Sequence, residues 1–332
     1  MATLGEGNVK LEGKARYETV KHLGEGQFAN VYMAKDLVSG DIVAIKKIKL
    51  GSRAETQDGL NRTALREIKL LQEVQHDNII TLRDVFGRRT NIQLVFDYME
   101  TDLENLIRER SIILSQSHVK NMCLQMLLGL EFLHLHWILH RDLKPNNLLL
   151  NSAGRMKIAD FGLARYFGSP NRLYTHQVVT RWYRPPELLY GARSYGVGGG
   201  CLAPFFAGET DLDQLCKIYH VTGTPTTEEW PEIQDLPNYV QIRECQRIEF
   251  ETIFTAASPA LIHLIGSCLR LNPNNRCTTT EVLSSLYFHE EPYPCDDSEL
   301  PLGRNADPSA PKRRRLDGDG KPKASGIRLE FE

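Results

Sequence analysis

From Tyr17 onward, apolar and polar residues alternate in short runs: Tyr17-Glu18-Thr19-Val20, Asn30-Val31-Tyr32-Met33-Ala34 and Ile42-Val43-Ala44-Ile45-Lys46. A period of two predicts strands. Between Arg62 and Val74 the spacing changes to three and four, with Leu65, Ile68, Leu70 and Leu71 on one stripe, which predicts a helix. Two more strands are expected over 79–86 and 91–98, the second an edge strand. Beyond Met99 the pattern is mainly helical, as in the stretch from His118 to His134 with Cys123, Met126, Leu127 and Leu130. A hairpin is expected with Leu148-Leu149-Leu150 against Met156-Lys157-Ile158. The expected fold class is α+β, with a small β-rich lobe carrying one helix over 17–99 and a larger α-helical lobe over 100–288. Residues 1–16 are Gly-rich and charged, so a disordered N-terminus is expected. Residues 289–332 turn to Pro, Asp, Gly and Lys, which predicts a disordered basic tail.

Composition narrows the picture modestly. A chain of 332 residues can bury the cores of two lobes. A net charge of −2 gives no global pull towards nucleic acid or membrane, so direct contact with either is not expected. No apolar run approaches the roughly 18 residues of a membrane span. Seven cysteines at irregular spacing, without a C-x-x-C pair or a secretory leader, point to reduced thiols in cytosol or nucleus.

The candidate chemistry is concentrated between residues 140 and 162. There His140-Arg141-Asp142-Leu143-Lys144-Pro145-Asn146-Asn147 is followed, past the hairpin, by Asp160-Phe161-Gly162. Phosphoryl transfer needs a carboxylate facing the attacking hydroxyl, oxygen ligands for Mg2+ and a cation for the moving charge. Asp142, the pair Asn147 and Asp160, and Lys144 supply those types in the order of the H-R-D-x-x-x-x-N and D-F-G motifs. Upstream, the stretch Leu23-Gly24-Glu25-Gly26-Gln27-Phe28-Ala29-Asn30-Val31 would let backbone approach the phosphates of ATP, with Phe28 as a cover. Its third glycine is Ala29, so the motif is imperfect. Val43-Ala44-Ile45-Lys46 offers a lysine to the phosphates, and Glu67 on the following helix is placed to pair with it. By position alone, backbone groups at Asp97 and Met99 would meet an adenine, Phe96 would limit pocket depth, and Asp102 would reach the ribose.

These motifs resemble those of the eukaryotic protein kinases, whose bilobal fold would then span 17–288. Asn61-Arg62-Thr63-Ala64-Leu65-Arg66-Glu67 resembles the cyclin-facing helix of the cyclin-dependent kinases. Tyr174-Thr175-His176-Gln177-Val178-Val179-Thr180-Arg181-Trp182-Tyr183-Arg184 and Gly223-Thr224-Pro225-Thr226 point to the branch that activates other members of that family. The resemblance implies a serine/threonine kinase that uses ATP and Mg2+ and acts in the nucleus. Its implied partners are an H-type cyclin, the assembly factor of the CDK-activating complex and general transcription factor IIH. Its implied protein substrates are other cyclin-dependent kinases and the RNA polymerase II tail. Thr175 and Ser169, the latter before Pro170, are the implied phosphorylation sites, and Arg66, Arg141 and Arg165 would bind the phosphate on Thr175. Arg181 and Arg184 resemble a platform for proline after the target residue. Glu187 is expected to pair with Arg276. Pro311-Lys312-Arg313-Arg314-Arg315 reads either as solvated charge or as a nuclear import signal.

The chain also departs from that family. Pro185 stands where the family has alanine, which removes a backbone N–H. After Gly198 the family continues with an Asp-x-Trp that opens a long apolar helix through the large lobe. Here the chain reads Gly199-Gly200-Cys201-Leu202-Ala203-Pro204 and rejoins the pattern at Asp211-Leu212-Asp213. The expectation is a large lobe without its central helix. Losing about five buried apolar side chains at ~1.5–3 kcal/mol each rivals the ~5–15 kcal/mol stability of a whole domain. An unstable or inactive variant that keeps only partner binding is therefore the alternative to an active kinase.

Overall fold

The computed structural model describes residues 15–26, 29–49, 62–88, 91–168, 179–196 and 206–302. Gln27, Phe28, Ser169, Thr175 and the basic cluster 311–315 lie outside them.

Alternating residues fold as expected into strands β1 (Tyr17–Glu25), β2 (Ala29–Asp36) and β3 (Ile42–Ile48), followed by helix α1 (Arg62–Glu73) and strands β4 (Leu82–Arg88) and β5 (Asn91–Asp97). The sheet runs in the order β1-β2-β3-β5-β4, with every neighbouring pair antiparallel. Two sequence expectations are corrected here. The stretch 79–86 is not one strand: Ile79 makes an isolated parallel bridge to Ile158 in the other lobe, and β4 begins only at Leu82. Likewise β5 is interior, because β4 pairs outside it; an apolar run cannot by itself distinguish an edge from a centre. On α1, Leu70 and Leu71 are buried, whereas Leu65 is 41 % exposed and faces away from the sheet lobe's core.

The larger lobe starts with β6 (Thr101–Asp102), α2 (Leu103–Arg108) and the 20-residue α3 (Gln116–Leu135). Ser115 caps α3 and exchanges side-chain and backbone hydrogen bonds with His118, a capping box. After β7 (Ile138–Leu139) come β8 (Leu148–Leu150) and β9 (Met156–Ile158), in the expected register with Leu148 opposite Ile158. Strand β10 (Arg165–Tyr166) pairs back onto β7. Then follow α4 (Pro186–Leu189), α5 (Asp211–Thr222), α6 (Phe250–Ile253), α7 (Pro259–Cys268) and α8 (Thr279–Leu283). Among the described residues no helix stands between Leu189 and Asp211. Helix α7, Pro-Ala-Leu-Ile-His-Leu-Ile-Gly-Ser-Cys, is almost wholly apolar, yet none of its ten residues is fully buried. Its Ala260, Leu261, Leu264 and Cys268 are half-buried against Leu127, Val282, Tyr287 and Phe288.

One cluster of buried side chains spans both lobes, with Leu70, Leu71, Leu94 and Phe96 from the sheet side and Leu130, Leu133, Leu148, Ile158 and Phe161 from the helical side. Asn78 joins them by donating to Gln125 at 3.1 Å and to the Met156 carbonyl at 2.9 Å.

Residues 289–302 overturn the expectation of a tail disordered from 289. The Lys120 ammonium donates to the Glu290 carbonyl at 2.9 Å, and Asn121 donates to the Cys295 carbonyl at 2.8 Å and to Asp297 at 2.9 Å. Leu300, 5 % exposed, enters the main core. Gly154, at φ 80°, turns the β8–β9 hairpin against this strap; a Cβ there would lie 1.8 Å from the Asp297 carbonyl oxygen. The Pro- and Asp-rich composition concealed an ordered segment because its few apolar residues are well spaced to reach the core. We expect Leu300→Ala to destabilise the fold by about 2–5 kcal/mol, read as a lower urea midpoint at unchanged slope.

Candidate active site

Lys46 leaves the middle of β3 and meets three carboxylate oxygens. Its ammonium donates to Glu67 Oε1 at 2.9 Å and Oε2 at 3.0 Å, and to Asp160 Oδ1 at 3.0 Å. Glu67 is 2 % exposed, so an unpaired charge there would be costly. Burial alone would push the Lys46 ammonium down, but Glu67 and Asp160 together hold it above the ordinary lysine range. Burial pushes the Glu67 carboxyl up, against the pull of Lys46. Burial pushes the Asp160 carboxyl up as well, but Lys46 outweighs it and holds this group below the ordinary range.

A second cluster surrounds Asp142. Lys144 donates to its Oδ2 at 2.8 Å and the Thr180 hydroxyl donates to its Oδ1 at 3.2 Å. Asn147 spends its amide N–H groups on the Asp142 carbonyl at 2.7 Å and on Oδ2 at 3.2 Å. That leaves the Asn147 oxygen as the donor it can offer a hard cation. His140 Nε2 lies 2.9 Å from the Ala159 carbonyl, and its Nδ1 accepts the Asp142 N–H at 3.3 Å. That pattern fits the neutral ring, with its proton on Nε2. The ring stands edge-on to Phe161, centroids 5.0 Å apart. Arg141 and Asp160 each hold φ 66° and Val179 holds φ 67°. Non-glycine residues in this region cost of order 1–3 kcal/mol each, a strain found where surrounding contacts fix a site.

The guanidinium groups of Arg66, Arg141 and Arg165 donate to three successive carbonyls: Gly162 at 3.5 Å, Leu163 at 2.7 Å and Ala164 at 2.9 Å. Arg141 also donates to the Tyr195 hydroxyl at 3.0 Å. Glu187 and Arg276 form a buried fork at 2.9 and 3.1 Å. Arg184 donates to the Val179 carbonyl at 3.2 Å, and both Arg184 and Arg181 reach Asp211.

On the nucleotide side, Leu23, Gly24 and Glu25 end β1, while Ala29, Asn30 and Val31 open β2, paired as Gly24–Val31 and Glu25–Asn30. Lys49 closes over this turn by donating to Glu25 and to the Gly26 carbonyl. Phe96 is buried in the core and Met99 packs beside it. The Asp97 side chain is committed to Arg83 at 2.7 Å and Lys157 at 3.0 Å. The Asp102 carboxylate caps α2 by accepting the Asn105 N–H at 2.8 Å. An aspartate at the start of a helix satisfies otherwise orphaned N–H groups. Sequence reasoning missed Thr180 as a partner of Asp142, and also Tyr195 and Asp211. No local spacing announces these contacts, each of which spans 27 residues or more.

A protein kinase domain model matches residues 17–288. The chain belongs to the cyclin-dependent protein kinases. It is 58 % identical over 318 residues to cyclin-dependent kinase 7 of Caenorhabditis elegans, covering 92 % of this chain and 96 % of that one. It is 54 % identical over 306 residues to the Xenopus laevis cyclin-dependent kinase 7, covering 88 % and 87 %. Among solved structures, a chain of the CAK complex from Chaetomium thermophilum bound to ATP-γ-S superposes with a TM-score of 0.79 at 37 % identity, covering 86 % of this chain and 94 % of that one. A chain of the yeast RNA polymerase II CTD kinase CTDK-1 complex gives 0.77 at 34 %, covering 90 % and 99 %. The kinase is thus a serine/threonine protein kinase with ATP as its nucleotide, and its two lobes are those of the family fold.

His134 on α3 and His140 after β7 predict a pH dependence. Burial pushes His134 down to about 4 and also lowers His140. Both are neutral when folded, and the unfolded chain takes up protons near the ordinary histidine value of ~6.5. Stability is therefore full above about pH 6.5 and declines as the pH falls towards about 4. Urea midpoints measured from about pH 7.5 to about pH 5 should fall in the wild type and fall less in His134→Gln; equal slopes would contradict this.

Proposed function

We propose that this kinase is the catalytic subunit of a CDK-activating complex, transferring the γ-phosphate of ATP to serine or threonine in other cyclin-dependent kinases and in the RNA polymerase II tail. The observation that carries the reading is the adjacency of two clusters: Lys46 held by Glu67 and Asp160, and Asp142 held by Lys144, Thr180 and Asn147. In this reading Lys46 binds nucleotide phosphates while Glu67 fixes its direction. Asp142 orients the target hydroxyl and takes its proton, and Thr180 and Lys144 fix the rotamer that does so. Lys144 also steadies the transferring group with its positive charge.

The donor set fits Mg2+: one amide oxygen from Asn147 and the half-exposed carboxylate of Asp160 are hard ligands, and two protein ligands suit an ion that keeps water and phosphate oxygens around it. When bound, Mg2+ neutralises charge that develops on the phosphates. Residues 23–31 would cover the phosphates, and the backbone beyond Phe96 would meet the adenine.

Three guanidinium groups along Gly162–Ala164 support a phosphate switch at Thr175, with Ser169 as a second, proline-directed site. The exposed Leu65 on α1 supports an H-type cyclin as partner, and similarity to complexed kinases supports the assembly factor, transcription factor IIH and a nuclear location. The Gly-rich stretch that stands where the family has its central helix favours a second reading, a partner-binding chain without turnover.

Turnover decides between them. With cyclin and assembly factor co-expressed, the chain should phosphorylate a Ser-Pro peptide from labelled ATP, and Asp142→Asn should slow it by about 10²–10⁴-fold. Partner binding with no label transfer would leave the second reading. Thr175→Ala should lower the same turnover when no cyclin is present; full activity there would refute the switch.

A further inference from the structure

Cys268 closes α7 and Cys277 stands two residues before α8. Their sulfur atoms are 3.4 Å apart. The loop between them is folded back on itself by Arg276, whose Nε donates to the Arg270 carbonyl at 2.9 Å and whose Nη2 donates to the Leu271 carbonyl at 3.2 Å. The Cys277 N–H closes the loop onto the Ser267 carbonyl at 3.4 Å. The two thiols are therefore held together by backbone and guanidinium contacts rather than by chance rotamers.

Interior cysteines usually serve as small apolar side chains. Cys123 in the same apolar cluster behaves that way: it is half-buried like the other two, yet its surroundings push its thiol up to about 11. Cys277 differs. The hydrogen bond from Cys268 holds its thiol below the ordinary cysteine value, and both residues keep partial access to solvent. A lowered, reachable thiol beside a second thiol is the arrangement of a redox pair. Nothing in the phosphoryl-transfer reading uses either residue.

We propose that Cys268 and Cys277 form a reversible thiol–disulfide site whose oxidant is a peroxide. The Cys277 thiolate attacks one peroxide oxygen, breaking the O–O bond and releasing hydroxide, which leaves a sulfenic acid. The Cys268 sulfur then attacks the Cys277 sulfur; the S–S bond forms, the S–O bond breaks, and the hydroxyl leaves as water with the Cys268 proton. Overall two thiols lose two electrons and two protons, and one hydrogen peroxide becomes two waters. The cross-link fastens to the end of α7 the loop whose Arg276 grips Glu187.

Mass spectrometry of the full chain tests this. The folded protein is treated with hydrogen peroxide until the exposed Cys216 begins to oxidise, remaining thiols are alkylated, and the chain is cut with trypsin. The expected product joins peptide Ile248–Arg270 to peptide Cys277–Arg304, two hydrogens lighter than their sum. It should vanish on reduction, persist in Cys295→Ser and be absent in Cys277→Ser. Fragment ions of the wild-type product assign the bond even if Cys277→Ser does not fold, because Cys295 shares the second peptide. A bond at Cys295, or full alkylation of Cys268 and Cys277 once Cys216 is oxidised, overturns the proposal.

Discussion

The Lys46 ammonium binds the sheet, helix α1 and the large lobe together, through Glu67 on one side and Asp160 on the other. Removing one partner of such a buried set costs about 3–5 kcal/mol because a charge is stranded. The arrangement therefore fixes α1 against the sheet and keeps Asp160 turned in. Once Asp160 is there, at φ 66°, Phe161 lies against His140, and the ring nitrogens of His140 hold both Ala159 and Asp142. A single cation thus sets the direction of the second cluster as well as the first.

A polar frame inside the large lobe performs the complementary task. Gln125 accepts the Met156 N–H at 2.7 Å and donates to Asn121, to the Gly154 carbonyl and to Asp297. With Asn78 added, the frame ties α3, the β8–β9 hairpin, the segment before β4 and the strap after 289 into one satisfied network. Buried amides so fully paired specify one arrangement, since any slip would leave several donors without acceptors. The open end of the hairpin carries Asn147 before β8 and Asp160 just after β9, so its register becomes the spacing between those two groups.

What was legible in the sequence was whatever is local. The strands β1 to β3, the helix α1 and the register of β8 on β9 follow from periodicity within a dozen residues. The pairing of Lys46 with Glu67 follows from the strand motif and the helix after it, and that of Glu187 with Arg276 only from resemblance, since those partners lie 89 positions apart. The cap that Asp102 makes on α2 is not legible in the sequence, because only the backbone geometry shows where that helix starts. Thr180 was passed over because a hydroxyl pointing at Asp142 requires the chain to return across 38 residues. The strap reads as disorder in the sequence because Leu300 and Leu302 are sparse in a polar stretch, although two well-placed leucines suffice when the frame beneath them is already built.

The missing central helix weighs differently on the two halves of the site. Lys46, Asp142, Asn147 and Asp160 are carried by elements that pack on the main core, which joins both lobes. The peptide side, Thr180 to Glu187, leans instead on a separate cluster of Leu189, Tyr190, Phe206, Leu215, Ile218, Tyr219, Trp230 and Ile233. Its links there include Arg181 and Arg184 on Asp211, the Trp182 indole on the Gly208 carbonyl, the Gln214 amide on the Trp182 carbonyl, and the Glu187 fork. Asp211 is half exposed, so its pairs with Arg181 and Arg184 are weak by the measure of solvated ion pairs. The nucleotide side is therefore built on intact packing, whereas the peptide side is held chiefly by Glu187 and Arg276. A defect from the lost helix should consequently fall on the binding of the protein substrate before it falls on the binding of ATP.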